Sequence, residues 1–185
     1  MSTAPLPTHP LRSAALPTRK PFRFDLRPDA AGRAAIAADM GLLDLPALRL
    51  KGEIRPSGRN DFELEADLTA DVVQPCSVTL APVPASLSEK VRRLFIADWH
   101  DPEGDEVEMP EDDSSEPLPE TIDLVTVAME ALALALPLYP RAPGAELGEA
   151  VFAAPGTAPL RDDDLRPFAG LAALKAKLDP QEGGA

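Results

Sequence analysis

One cysteine, Cys76, and two histidines, His9 and His100, are all this chain offers for nucleophilic catalysis or soft-metal binding. A catalytic thiol needs a base held within hydrogen-bond reach by a rigid frame. His9 lies in a proline-broken arm and His100 in an acidic loop, so neither is framed. Cys76 falls in a predicted strand and reads as a buried thiol that packs like a small apolar residue. The string Asp98-Trp99-His100-Asp101 contains metal-donor types, but its spacing matches no calcium loop. A solvated charge run is the reading adopted for it. Glu130 interrupts an otherwise apolar helix, either as a buried carboxylate with an arginine partner or as the mark of a wet stripe; the stripe is preferred. No dinucleotide fingerprint, P-loop, nucleophile elbow or zinc-protease motif is present. The residues call for no catalytic group, no cofactor and no metal, and they point away from an enzyme.

Charge placement is more informative. Lys and Arg total 18 against 31 Asp and Glu, a formal net charge of −13 over 185 residues. Eleven of those acids fall in one span: Asp98, Asp101, Glu103, Asp105, Glu106, Glu108, Glu111, Asp112, Asp113, Glu116 and Glu120. No Lys or Arg lies among them, and the rest of the chain is close to neutral. With Pro102, Pro110, Pro117 and Pro119 in the same span, an acidic, disordered loop over 98–120 is expected. Such a loop suits a basic partner, contacted chiefly through the nine acids from Asp98 to Asp113. Residues 1–27 are the opposite, with Arg12, Arg19, Lys20, Arg23 and Arg27 against Asp25 alone. Direct RNA binding is the alternative, through Arg19, Lys20 and Arg23 of this end together with Arg92 and Arg93. A chain of this net charge is repelled by phosphates at long range, which weighs against it.

Three periodic blocks must position these groups. Residues 1–21 hold Pro5, Pro7, Pro10, Pro17 and Pro21 and read as a disordered basic arm. Phe22-Arg-Phe24-Asp-Leu26 alternates as a half-buried strand does, the alanine-rich run to Met40 predicts a helix stopped at Gly41, and Leu48-Arg-Leu50 returns to period two. Phe62, Leu64, Ala66 and Leu68 predict a strand with one wet face, and a further strand is expected from Val72 to Leu80. Ala81-Pro-Val-Pro-Ala85 reads as a break, and Leu87–Ile96 fits helix and strand alike. Thr121 to Leu136 predicts a largely buried helix closed by Pro137. A short amphipathic helix is expected over 165–178, with a frayed tail at 179–185. The domain expected is a single α+β unit over 22–178. One cysteine implies a reducing compartment, and neither an apolar run of about 18 residues nor a signal-like start is present, so a cytoplasmic location is expected.

Val72-Val-Gln-Pro-Cys76 through Pro84, then the acidic loop, Ile122-Asp-Leu124 through Glu130 to Pro140, and Arg166 to Leu178 come in an order that resembles the YceD-type large ribosomal RNA subunit accumulation proteins, a family of unknown biochemical function. The two C-terminal motifs are the most specific. The resemblance implies a mainly antiparallel β-sheet packed by an N-terminal helix, one long buried helix and a short C-terminal helix, and it favours a strand at Leu87–Ile96. It implies a bacterial, non-catalytic ribosome-biogenesis factor that supports accumulation of large-subunit ribosomal RNA. Its expected partners are a large-subunit ribosomal protein or a pre-ribosomal particle, with RNA as the alternative and no membrane. Many relatives carry a C-x-x-C pair where this chain has Val73 and Cys76, and some have a His and a Cys where it reads Arg141-Ala-Pro-Gly144. With those donors absent, a metal role is not carried over.

Overall fold

The computed structural model describes residues 5–100 and 114–146. The chain divides into two units, Met1–Ala145 and Glu146–Ala185. The helix and tail expected after residue 164 lie outside the described residues, as do Asp101, Glu103, Asp105, Glu106, Glu108, Glu111, Asp112 and Asp113.

The main sheet is built on three long strands. Alternation at Phe22, Phe24 and Leu26 makes β2 (Phe22–Leu26), with Phe24 and Leu26 turned inward. Pro28 and Asp29 then start α1 (Ala30–Asp39), where the Asp29 carboxylate accepts the Gly32 N–H at 2.8 Å as an N-cap. Gly41 stops the helix in the left-handed region at φ 67°, and the Leu42 N–H returns to the Ala37 carbonyl. Next come β3 (Asp44–Ser57) and β4 (Asp61–Pro75), joined through Gly58 at φ 60°. Their ladder runs from Ser57 opposite Asp61 to Asp44 opposite Val73, with one irregularity between Asp44 and Ala47. β4 is continuous where two strands had been expected, and β5 (Pro82–Ile96) pairs along its whole length, from Phe62 opposite Phe95 to Pro75 opposite Pro82.

That pairing corrects the break expected at 81–85. The Leu94 N–H donates outward to Ser114, away from β4, so even-numbered residues of β5 turn their backbone groups to the far edge. Pro82 and Pro84 share that parity. Each lacks an N–H only where none is needed for the β4 ladder. Leu87–Ile96 lies in this strand and is not helical.

The segment from Ser114 returns as β6 (Ser115–Pro117), parallel to β5 with Leu94 opposite Ser115 and Ile96 opposite Pro117. The sheet order is β2-β3-β4-β5-β6. The expectation of an unstructured loop throughout 98–120 is therefore corrected at its C-terminal end. The N-terminal arm is corrected too. Pro10–Arg12 form β1, antiparallel to β7 (Thr121–Asp123), and the buried Ser13 donates its N–H to the Glu120 carbonyl. Leu16 packs into the core, so burial and paired backbone groups hold an arm that composition alone read as mobile. The last described helix, α2 (Leu124–Ala135), begins three residues later than expected, because Asp123 caps it by accepting the Val125 N–H at 2.8 Å. The same carboxylate accepts the His9 N–H at 2.9 Å and so ties the arm to the helix start.

One core joins both helices to the inner sheet face. Ile36 of α1 and Leu124, Ala128 and Leu132 of α2 are wholly buried with Leu50, Leu64 and Leu68. α2 is less buried than its composition suggested, since Leu134 is 87 % exposed. The opposite sheet face carries alternating Arg, Lys, Glu and Asp and has no helix over it among the described elements.

Candidate functional site: the stem of the acidic segment

The outer end of β5 gathers what the sequence singled out. Ile96 ends the strand, the Ala97 N–H donates to the Asp61 carboxylate at 2.9 Å, and Asp98, Trp99 and His100 follow at the surface. On return, the Ser114 carbonyl accepts the Leu94 N–H at 2.8 Å and the Leu118 N–H donates to the Ile96 carbonyl at 2.9 Å. The two ends of the acidic segment thus leave from one strand pair, separated by about the 4.8 Å of adjacent strands.

Arg93 locks this stem. Its guanidinium lies 3.2 Å from the Glu116 carboxylate on β6 and 2.7 Å from that of Glu130 on α2. Glu130 is half-exposed, so it is not a buried carboxylate and borders water as the preferred reading had it, although it also has an arginine partner. Arg93 sits on the inward face between Val91 and Phe95, which explains why a cation faces a helix there. Arg92, one residue on, turns to the open face and donates to Glu63 at 2.8 Å. That pair helps hold the Glu63 carboxyl below its ordinary range: the Arg92 hydrogen bond lowers it most, then Arg55, against the opposing effect of burial.

The five cations proposed to meet RNA are therefore not one patch. Arg92 and Arg93 point to opposite faces and are engaged by carboxylates. Arg23 reaches Glu53 at 3.4 Å, with its side chain 83 % exposed. Arg19 and Lys20 are exposed before β2 and make no ion pair among the described residues. Of the nine acids assigned to a basic partner, Asp98 alone is described; it is exposed, and its carbonyl takes the His100 Nδ1 contact at 2.8 Å.

Cys76 lies just past the end of β4 and is fully buried, but its surroundings are polar. Its Sγ accepts backbone N–H groups from Val78 and Thr79 at 3.4 Å and from Ala142 at 3.3 Å. These bonds, with the Thr79 side chain contributing most, hold the thiol down at about 6, although burial works the other way. The Ala142 bond joins the β4–β5 turn to the chain after α2, and the Ser77 N–H reinforces it by donating to the Pro140 carbonyl at 2.8 Å. Cys76 and the Arg141–Gly144 stretch, the two places where relatives carry donor residues, are neighbours in space. Nothing in their sequence spacing announces that contact. Among the described residues, no group of three or more His, Cys, Asp or Glu could hold a metal ion.

An open-faced sheet backed by two helices, with a clamped stem for an acidic segment, defines an α+β scaffold that presents a charged insertion. The family model for the large ribosomal RNA subunit accumulation protein YceD matches residues 64–175, more than half the chain, and the protein belongs to that family. No curated protein and no solved structure matches it. No described helix is long and apolar enough to cross a membrane.

Proposed function

We propose that the protein is a non-catalytic ribosome-biogenesis factor that supports large-subunit ribosomal RNA accumulation by engaging a basic large-subunit ribosomal protein, or a particle carrying it, through its acidic segment. The family carries the link to the large ribosomal subunit. The observation that supports the mechanism is the stem: nine acids without a base, Asp98 to Asp113, lie between two chain ends paired by β5 and β6. Fixing both ends of so acidic a stretch concentrates negative potential at one end of the sheet, which favours fast, salt-sensitive capture of a basic segment. The reading places the protein with the ribosome in the bacterial cytoplasm and requires no cofactor. Direct RNA contact through Arg19, Lys20, Arg23, Arg92 and Arg93 has less support, because Arg23, Arg92 and Arg93 already face carboxylates.

The test replaces the nine acids from Asp98 to Asp113 with Ser or Gln and leaves Glu116 in place. Purified large-subunit ribosomal proteins are then titrated at physiological salt against both forms. Affinity for one or more of them should fall at least tenfold while the melting temperature stays within about 2 °C, as for surface substitutions. Unchanged capture would remove the acidic segment from the mechanism.

A further inference from the structure

The open face of the sheet pairs nearly all of its arginines with glutamates: Arg23 with Glu53, Arg55 with Glu63 and Glu65, and Arg92 with Glu63. One corner departs from this. Arg27, Arg33 and Arg49 border an open hollow of about 480 Å3, with Thr69, Asp71 and Ser86 on its sheet side. Arg49 and Arg27 both straddle the same carboxylate, Asp25. Arg49 donates through Nε and Nη2 at 2.7 and 2.8 Å, and Arg27 through the same pair of atoms at 3.1 and 2.9 Å. Arg33 has no carboxylate partner among the described residues. It is held by two carbonyls instead, with Nε on Leu45 at 3.1 Å and Nη1 on Pro28 at 2.9 Å.

Two of the three guanidiniums thus share one carboxylate, the third has none among the described residues, and the acid that lines the hollow, Asp71, is occupied by the Ser86 hydroxyl at 2.7 Å. A net positive charge remains after both acids are counted. Each arginine spends only two of its five N–H donors on the contacts named, and all three are oriented by them before any ligand arrives. Fixed forks of this kind suit a tetrahedral, multiply charged oxyanion better than a single-point cation site does.

We propose that the hollow framed by Arg27, Arg33 and Arg49 binds a phosphoryl group, carried either on an RNA backbone or on a small phosphorylated ligand. The arginines differ from the five first weighed for RNA, and the site stands or falls independently of the acidic segment. Arg33 also braces the passage from α1 into β3, so the test rests on Arg27 and Arg49, whose side chains are 61 % and 39 % exposed.

The full chain is titrated at constant ionic strength with inorganic phosphate, adenosine monophosphate and a single-stranded RNA decamer. Binding is read from arginine Nε–H resonances and by calorimetry. At least one probe should saturate and move the resonances of all three arginines. Arg27→Gln and Arg49→Gln should each weaken it about tenfold, with Arg92→Gln as an unaffected control. RNA binding tighter than phosphate, with a shallower salt dependence in the variants, assigns the backbone as the source. Phosphate or the mononucleotide binding as tightly as RNA assigns a small ligand. No saturable response to any probe, or a response undiminished in both variants, overturns the site.

Discussion

Arg93→Met tests the stem directly. The methionine keeps much of the apolar stem that packs between Val91 and Phe95 while removing the guanidinium. Two contacts are lost, to Glu116 and to Glu130, whose side chains are 37 % and 49 % exposed. Exposed pairs contribute roughly 0.2–1 kcal/mol each, whereas stranding a buried charge costs about 3–5 kcal/mol. Both glutamates can rehydrate, so the first regime applies. Arg93 itself is 23 % exposed, which moves the sum toward the upper end, about 1–2 kcal/mol. For a chain of this length that lowers the melting temperature by about 3–6 °C. Added salt near 1 M, where the screening length is about 3 Å, should remove much of the difference between the two proteins. Hydrogen exchange gives the local readout. The amides of Leu94 and Leu118, which bond across β5–β6, should exchange faster in the variant, while those of the central β3–β4 ladder change only with global stability. An unchanged melting temperature together with unchanged exchange at Leu94 and Leu118 would refute the clamp. A loss above about 4 kcal/mol would refute the rehydration argument instead.

Two further substitutions probe other parts of the frame. Cys76 has its pKa lowered from 9.0 to about 6 in the folded chain, so its contribution to stability is full above the unfolded value and is lost as pH falls through about 6. Denaturation midpoints should therefore decline as pH is lowered across this interval, with a thiolate ultraviolet band present at neutral pH; a slope that survives unaltered in Cys76→Ser would assign it to other groups. Gly52→Val should unfold or severely weaken the protein, because a Cβ there would collide with the Glu65 carbonyl oxygen and the Ala66 backbone across the ladder. A near-native melting temperature for that variant would mean that β3 and β4 part more easily than their register implies.

How much of this was legible in sequence depended on the range of the contact involved. Phe62, Leu64, Ala66 and Leu68 alternate because one sheet face is dry, and that local signal located β4. Pro82 and Pro84 misled because a proline's penalty depends on which edge its missing N–H would face, and that is set by a partner strand. Ile122 has helical spacing with Val125 and Met129, yet it belongs to β7, since a strand from the far N-terminus pairs with it. The arm fails the same way: Ser13 is fixed by Pro119 and Glu120, more than a hundred positions later, and Leu16 by burial in the core, and composition cannot report either. At the site, sequence found Arg93 and Glu130 separately but not their pairing. It passed over Arg33 and Arg49, which appear ordinary until α1 and β3 bring them beside Arg27.

The placement of charge also limits how the acidic segment can be altered. The open sheet face offsets its own charges by cross-strand Arg–Glu pairs, so it can meet water with none of the described helices over it and without adding much to the net −13. The excess acid is concentrated in 98–120, but that span is not uniform in its work. Glu116 is bound to Arg93 and the Glu120 carbonyl receives the Ser13 N–H, so the return limb serves the fold. Asp98, by contrast, is exposed and makes no ion pair among the described residues. Neutralising the whole span would therefore mix a stability loss at Glu116 with any loss of partner capture. Neutralising Asp98 to Asp113 and separately removing Glu116 keeps the two apart: the first should alter binding alone, and the second should reproduce part of the Arg93→Met destabilisation while leaving the other acids free to act.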